Sequence, residues 1–337
     1  LTGIEVAEKC AYVANRVIEV LSQPVVLSGC LINTGTSIGI SVFPKDGREA
    51  PELLLNGDKA LYEAKSKGRG VFRFFEQSLD EKAKIAHVLE SDLRMAIVRN
   101  EFVLHFQPQK LAICGDITGA EALVRWNHPT RGVLYPDQFI SSAEENGLIF
   151  DIGRIILNTA CRECQKWRDE GHGSISVAVN ISSVQFRDKM FVETVENALA
   201  ESGLDPNYLE LEITESVMMD QSDFVVENLR RLRGLGIEFA IDDFGTGYSS
   251  LAHLKHLPVQ KLKLDKVFID GLANDAADLA IVEAVINLGH SLNLKIVADG
   301  VESPEQAKIL SAKECDVLQG FLIAKAMPAD TFLQWLS

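Results

Sequence analysis

No apolar run in the sequence approaches the roughly 18 residues that a membrane-spanning helix needs, and the opening Leu1-Thr-Gly-Ile-Glu5 lacks the charged start of a secretory signal. These absences predict a cytoplasmic segment that makes no membrane contact of its own. It begins without Met, so it can equally be the cytoplasmic part of a larger, membrane-anchored protein. Basic residues are scarce as well: 33 Lys and Arg face 48 Asp and Glu, a net charge of −15. General nucleic-acid binding, which rests on neutralising phosphates, is therefore not expected. A small phosphate-bearing ligand stays compatible if metal ions screen it. Cysteine is thin, six residues in 337, which argues against a disulfide framework. Cys161 and Cys164 form a lone CxxC inside a helical pattern and read as ordinary buried or half-buried thiols. With 47% hydrophobic and 24% charged residues, the composition is that of a soluble globular protein, long enough for one barrel and a smaller unit.

What is present is organised around Phe239-Ala-Ile-Asp-Asp-Phe-Gly-Thr-Gly-Tyr248, where two adjacent carboxylates stand between a short apolar run and a glycine-broken turn. An apolar-periodic segment follows Ser249 and Ser250, so the stretch reads as strand, turn, helix. Asp242 and Asp243 then lie at the carboxyl end of a strand, where parallel α/β folds place their chemistry. Alternation sends neighbouring side chains to opposite faces. Both acids serve one site only if the backbone turns there, and Gly245 and Gly247 are expected to allow it. The alternative is that one Asp caps the following helix and the other is solvated.

Residues 1–76 read as helix (Val6 to Leu21), hairpin with alternation from Leu31 to Val42, helix (Leu53 to Ser66) and a closing strand Val71-Phe-Arg-Phe-Phe75. That is too little for an independent core and predicts a partial α+β domain. Residues 77–100 form a charged amphipathic helix with Ile85, Leu89, Leu93, Ala96 and Ile97 on one face, read as a connector. Over 101–337, strand-like runs alternate with amphipathic helices, which predicts a parallel sheet or barrel. Six runs carry polar groups: Glu121, Asn180, Glu212, the Asp242 and Asp243 pair, Lys263 and Asp299. With an opening strand Phe102 to Gln107 and a last run reaching Gln319-Gly-Phe321, the count fits an eight-stranded (β/α) barrel of about 250 residues.

Strand ends converge in such a barrel, and carboxylates so gathered repel unless cations neutralise them. The all-oxygen set Glu121, Asn180, Glu212, Asp242, Asp243 and Asp299 favours Mg²⁺ or Mn²⁺ over zinc, and no histidine stands among these strand-end groups. Five carboxylates exceed the needs of one small cation and point to two metals sharing Asp242, the arrangement suited to in-line phosphoryl displacement. Lys263 is expected either to orient the attacking water and steady transition-state charge, or simply to snorkel into a salt bridge. Glu215 reads as an anchor for the loop after Asp243 or as a helix N-cap partner.

Two resemblances follow from these motifs. Thr36-Ser-Ile-Gly-Ile-Ser-Val-Phe-Pro44 and Asp58-Lys-Ala-Leu-Tyr-Glu-Ala-Lys-Ser-Lys-Gly-Arg-Gly70 resemble the C-terminal half of a GGDEF domain whose signature loop is not in the sequence, so no cyclase activity is implied. Glu121-Ala-Leu123 with Arg125, Asn180-Ile-Ser182, Glu212-Ile-Thr-Glu215, Asp242-Asp-Phe-Gly-Thr-Gly247, Lys263-Leu-Asp265, Asp299-Gly-Val-Glu302 and Gln319-Gly-Phe321 stand in the order of the EAL phosphodiesterases. That resemblance implies a barrel whose first strand runs antiparallel, and hydrolysis of cyclic di-GMP to linear pGpG. It further implies one metal on Glu121, Asn180, Glu212 and Asp242 and a second on Asp242, Asp243 and residue 299. Lys263 would assist the water, and Gln107, Leu123, Arg125, Gln319 and Glu302 would contact substrate. Glu215 would fix a loop from Phe244 to Ser250 that serves homodimerisation. The family usually has Glu where this chain has Asp299. A barrel that binds the dinucleotide as a receptor, weakly active or inactive, is the alternative.

Overall fold

The computed structural model describes residues 7–22, 25–27, 30–32, 35–66, 70–75, 78–218, 222–245 and 258–336. The chain divides into two compact units, Leu1–Ser91 and Asp92–Ser337.

In the first unit helix α1 (Ala7–Leu21) precedes an antiparallel hairpin of β1 (Val25–Leu27) and β2 (Cys30–Ile32). Strand β3 (Ile38–Ile40) pairs in parallel with β4 (Phe72–Phe74), joined through helix α2 (Ala50–Ser66). The single alternating run expected from Leu31 to Val42 is thus two strands in two separate sheets. Helix α2 lies so close to β3 that a Cβ on Gly39 would sit 2.0 Å from the Gly57 carbonyl oxygen, so only glycine fits there. The turn after β3 is held by Asp46, whose carboxylate accepts from the Val42 amide at 2.7 Å. Helix α3 (Ser78–Arg99) follows, with Leu93 and Ala96 fully buried.

The second unit is a closed barrel. Its eight staves are β5 (Phe102–Leu111), β6 (Ile117–His128), β8 (Ser176–Ile181), β9 (Leu209–Thr214), β10 (Glu238–Phe244), β11 (Lys261–Leu264), β12 (Lys295–Ala298) and β13 (Val317–Gln319). Strand β5 is antiparallel to both neighbours, β6 and β13, while the remaining pairs are parallel. The cause is local: only a short turn separates β5 from β6, and a turn that short joins antiparallel strands, whereas parallel pairs need a crossover. Short strands β7 (Gly132–Leu134) and β14 (Met327–Pro328) extend the sheet beyond the ring and were not foreseen from the pattern. Glu121 lies in the first half of β6, which runs past the barrel to pair with β7.

Helices cover the outside. Helix α4 (Ile149–Asp169) presents Ile152, Ile156, Ala160 and Trp167 to the strands, and Phe106 of β5 stacks edge-on against Trp167 with centroids 4.8 Å apart. Phe332 of the last helix (Ala329–Leu336) completes the cluster, 4.8 Å from Trp167. Cys161 and Cys164 are buried in α4 as ordinary thiols, and burial pushes both up to about 12. Strand β9, Leu-Glu-Leu-Glu-Ile-Thr, is buried on both faces apart from its last residue: apolar side chains meet helices, and acids enter the barrel. That inversion of the usual pattern is what supplies the site.

Truncating the fully buried Phe106 to Ala should destabilise the barrel by about 3–5 kcal/mol. Urea unfolding followed by tryptophan fluorescence checks this; a loss under about 1 kcal/mol would mean the cluster collapses to fill the space.

Candidate functional site

Lys263 on β11 stands at the centre of the barrel, 2% exposed, with acids from three other strands and from just past the end of a fourth around it. Its Nζ donates at 2.8 Å to Glu121 Oε2 and at 2.8 Å to Glu212 Oε2, and lies 3.4 Å from Asp242 Oδ1. Asp299, immediately after β12, is 3.9 Å away through Oδ2, while its Oδ1 accepts from the Gly300 amide. Asn180 of β8 donates Nδ2 to Glu121 Oε1 at 2.6 Å. Residues spread from 121 to 299 therefore meet at one point. Lys263 makes the salt bridges of the alternative reading, but inside the barrel and not by snorkelling to solvent.

Asp242 and Asp243 both line a cavity of about 750 Å³ with Leu123, Asn180 and Glu215. The turn expected at Gly245 and Gly247 is made earlier: Asp243 itself has φ +54 inside β10, at a register shift between Ile241 and Phe244. Aspartate tolerates that left-handed geometry better than most residues, and the bulge brings two neighbouring acids to one side. Gly245 is also left-handed, and a Cβ there would meet the Phe268 ring at 2.9 Å. Gly247 and the rest of the loop to Ser250 lie outside the described residues, as does any contact that loop makes with Glu215 or with a second barrel. Glu215 opens a short helix (Glu215–Met218), and its Oε2 is buried without a partner among the described residues.

The expected substrate contacts fall into three groups. Gln319 is buried and donates Nε2 to Glu121 Oε2 and, at 3.4 Å, to Gln107 Oε1, while Gln107 donates to the Ala324 carbonyl at 3.3 Å. Arg125 donates to the Val124 carbonyl and lies over the Tyr135 ring, 4.8 Å from its centroid. Glu302 is half exposed and ion-paired with Lys266, outside the buried cluster. Two residues escaped the sequence reading. Gln109 donates to Gln319 Oε1 at 3.0 Å and so fixes the amide that orients Glu121. Asp265 caps the following helix through the Val267 amide and its carboxylate bears on Asp243. The signal for Gln109 was its place two residues from Gln107, on the same face of one strand.

Electrostatics separate the acids. Burial favours the neutral form of Glu121, yet Lys263 and donors from Gln319 and Asn180 outweigh it and hold its pKa low. Glu212 shares the same ammonium but is raised well above the ordinary range by burial and by Glu121. The difference is in hydrogen bonds: Glu121 receives three donors, whereas Glu212 Oε1 is buried with no partner among the described residues. Burial and Asp242 raise Asp243 to about 6; burial also raises Asp299 to about 6, against the pull of Lys263. Lys263 is held charged by its carboxylates despite burial. Among the described residues no three His, Cys, Asp or Glu side chains stand as a ready metal cage, because the acids are drawn onto the ammonium. The donor set still fits a hard cation: it is all oxygen, more negative than one lysine neutralises, and keeps a buried carboxylate oxygen without a donor among the described residues.

Comparison with known proteins identifies the family of the barrel. Residues 90–326 match the model of the EAL domain. The chain belongs to the EAL domain family. Residues 1–71 match the model described as diguanylate cyclase, GGDEF domain. The chain is 45% identical over 323 residues to the bifunctional diguanylate cyclase/cyclic di-GMP phosphodiesterase MucR of Pseudomonas aeruginosa, covering 96% of this chain and 47% of MucR. It is 35% identical to the cyclic di-GMP phosphodiesterase PdeR of Escherichia coli, covering 96% of this chain and 48% of PdeR. It thus spans about half the length of these relatives. A solved structure of the PaMucR phosphodiesterase in complex with c-di-GMP superimposes with a TM-score of 0.70 at 48% identity, over 72% of this chain and 99% of that one.

In this EAL barrel a carboxyl group whose pKa is raised in the folded state weakens folding above that pKa, and the penalty disappears once pH falls below the unfolded value. With EDTA present, Asp243→Asn with Asp299→Asn should therefore raise Tm at about pH 8, with the gain shrinking toward zero by about pH 4. Calorimetric melts at the two pH values check the sign; equal gains at both would remove crowded charge as the cause.

Proposed function

We propose that the chain hydrolyses cyclic di-GMP to linear pGpG in a reaction dependent on Mg²⁺ or Mn²⁺, with residues 101–337 as the catalytic barrel, 77–100 as connector and 1–76 as a partial GGDEF-like domain. The observation that carries this reading is the meeting of Glu121, Asn180, Glu212, Asp242 and Asp299 around Lys263 beside an open cavity. Glu121, Asn180, Glu212 and Asp242 would hold one ion, and Asp242, Asp243 and Asp299 a second. When bound, such ions supply Lewis-acid charge at the phosphate and lower the pKa of water.

The chain's own residues supply the rest. Water adds to one phosphorus, the bond to the 3′ oxygen breaks, and that oxygen leaves with a proton. Lys263 keeps its proton and presents fixed positive charge where negative charge grows on the phosphoryl oxygens. Asn180, Gln319 and Gln109 hold Glu121 in one orientation. Leu123, Gln107, Arg125 and Glu302 would position the dinucleotide, with Arg125 stiffened by Tyr135. Glu215 anchors the following loop, and pairing of two barrels through it is part of the same reading, supported by the family resemblance. A second-messenger substrate implies a cytoplasmic site.

Incubation of the purified chain with cyclic di-GMP and Mn²⁺, followed by chromatography, should yield pGpG; EDTA should stop it and added Mg²⁺ or Mn²⁺ restore it. Glu121→Ala should lower turnover at least about 100-fold, since even groups that only orient a metal ligand are worth up to that factor. An alanine variant as fast as its parent would refute the assignment. Asp299→Glu, which restores the longer side chain usual in the family, should raise turnover.

A further inference from the structure

One layer below Lys263 the barrel holds a second buried ion pair that the hydrolytic reading does not use. Strand β9 sends Glu210 and Glu212 into the interior, and β11 sends Lys261 and Lys263. They form two rungs crossing over β10: Lys263 with Glu212 at 2.8 Å, and Lys261 with Glu210, joined by Glu238 Oε2 at 3.5 Å. Between the rungs β10 places Ala240, which is in register with Glu212 on one side and Lys261 on the other. Its methyl leaves the path across the strand open. Lys261 and Glu210 are 8% and 1% exposed, so neither charge is relieved by water.

Inward-facing residues two apart on a strand lie about 7 Å from each other, within the sweep of a lysine side chain. An unrestrained Lys261 can therefore reach the upper rung. There Glu212 keeps Oε1 buried without a partner among the described residues, as Glu210 does below it, and that oxygen can accept a further cation. Whichever cation takes that oxygen excludes the other. We propose that Glu210, aided by Glu238, is a positioning residue that holds the Lys261 ammonium off Glu212 and so keeps Glu212 Oε1 open to a divalent metal ion. The proposal rests on the metal-dependent reading above.

A merely structural ion pair and a sequestering one give opposite results in a rescue experiment. In the full chain, Glu210→Gln with Glu238→Gln frees Lys261. Mn²⁺ affinity, read by electron paramagnetic resonance of free Mn²⁺ and by calorimetry, should fall about tenfold or more, the scale of other second-layer effects on metal sites. Adding Lys261→Met to that variant removes the competing ammonium and should bring the affinity back to within about threefold of the parent, with turnover of cyclic di-GMP following. Both variants carry the same two amides, so a folding defect caused by them is common to both, and melts register it separately. Unchanged Mn²⁺ affinity in the first variant, or a triple variant no better than the double, overturns the proposal, as does a parent that binds no Mn²⁺. A parent that binds Mn²⁺ without producing pGpG refutes the hydrolytic reading alone, and the sequestering role then stands or falls on the affinities.

Discussion

The interior of this barrel is held together by one ammonium facing too many carboxylates. A buried charge is tolerated only when paired and hydrogen-bonded, and Lys263 is paired several times over. Its positive charge draws Glu121, Glu212 and Asp242 from three strands to one place, and it leaves a surplus of negative charge that burial keeps from being screened. The pKa values of Glu212, Asp243 and Asp299 are raised first by burial and then by the neighbouring carboxylates. A protein core built for stability alone would fill this space with hydrocarbon. Its polarity is the strongest physical reason to look for chemistry here.

Hydrogen bonding then distinguishes acids that share the same cation. Glu121 is locked by Asn180, Gln319 and Lys263 together, so its charge and direction are fixed before any ligand arrives. Glu212, equally buried, has one oxygen engaged and, among the described residues, one without a partner. Preorganisation and an open acceptor position are divided between two carboxylates that enter the interior from different strands, Glu121 from β6 and Glu212 from β9.

Much of this was legible in the sequence. Alternation in Leu209-Glu-Leu-Glu-Ile213 and Lys261-Leu-Lys-Leu264 showed strands with charge on one face, and the ordered motifs fixed which strands came together. The antiparallel first strand was available only from resemblance, although the short β5 to β6 connection contains the reason for it. Three features were not legible. The left-handed turn at Asp243 belongs to a bulge, and local propensity pointed to the glycines that follow. The split of Leu31 to Val42 into two strands depends on which partners each half finds. The depth at which Gln109, Glu210 and Lys261 sit is the third, because the depth of a side chain inside a barrel depends on closure and shear and not on its neighbours in sequence.

The seam where β5 meets β13 joins residues some two hundred positions apart, Gln109 to Gln319. During synthesis the acids of the early staves emerge long before that last stave does, with no closed wall to hold them and only water to separate them. The amide that steadies Glu121 is among the final pieces delivered. Assembly of the reactive centre and completion of the ring are consequently one event, and a nascent chain stalled short of residue 319 has the ingredients of the site without its architecture.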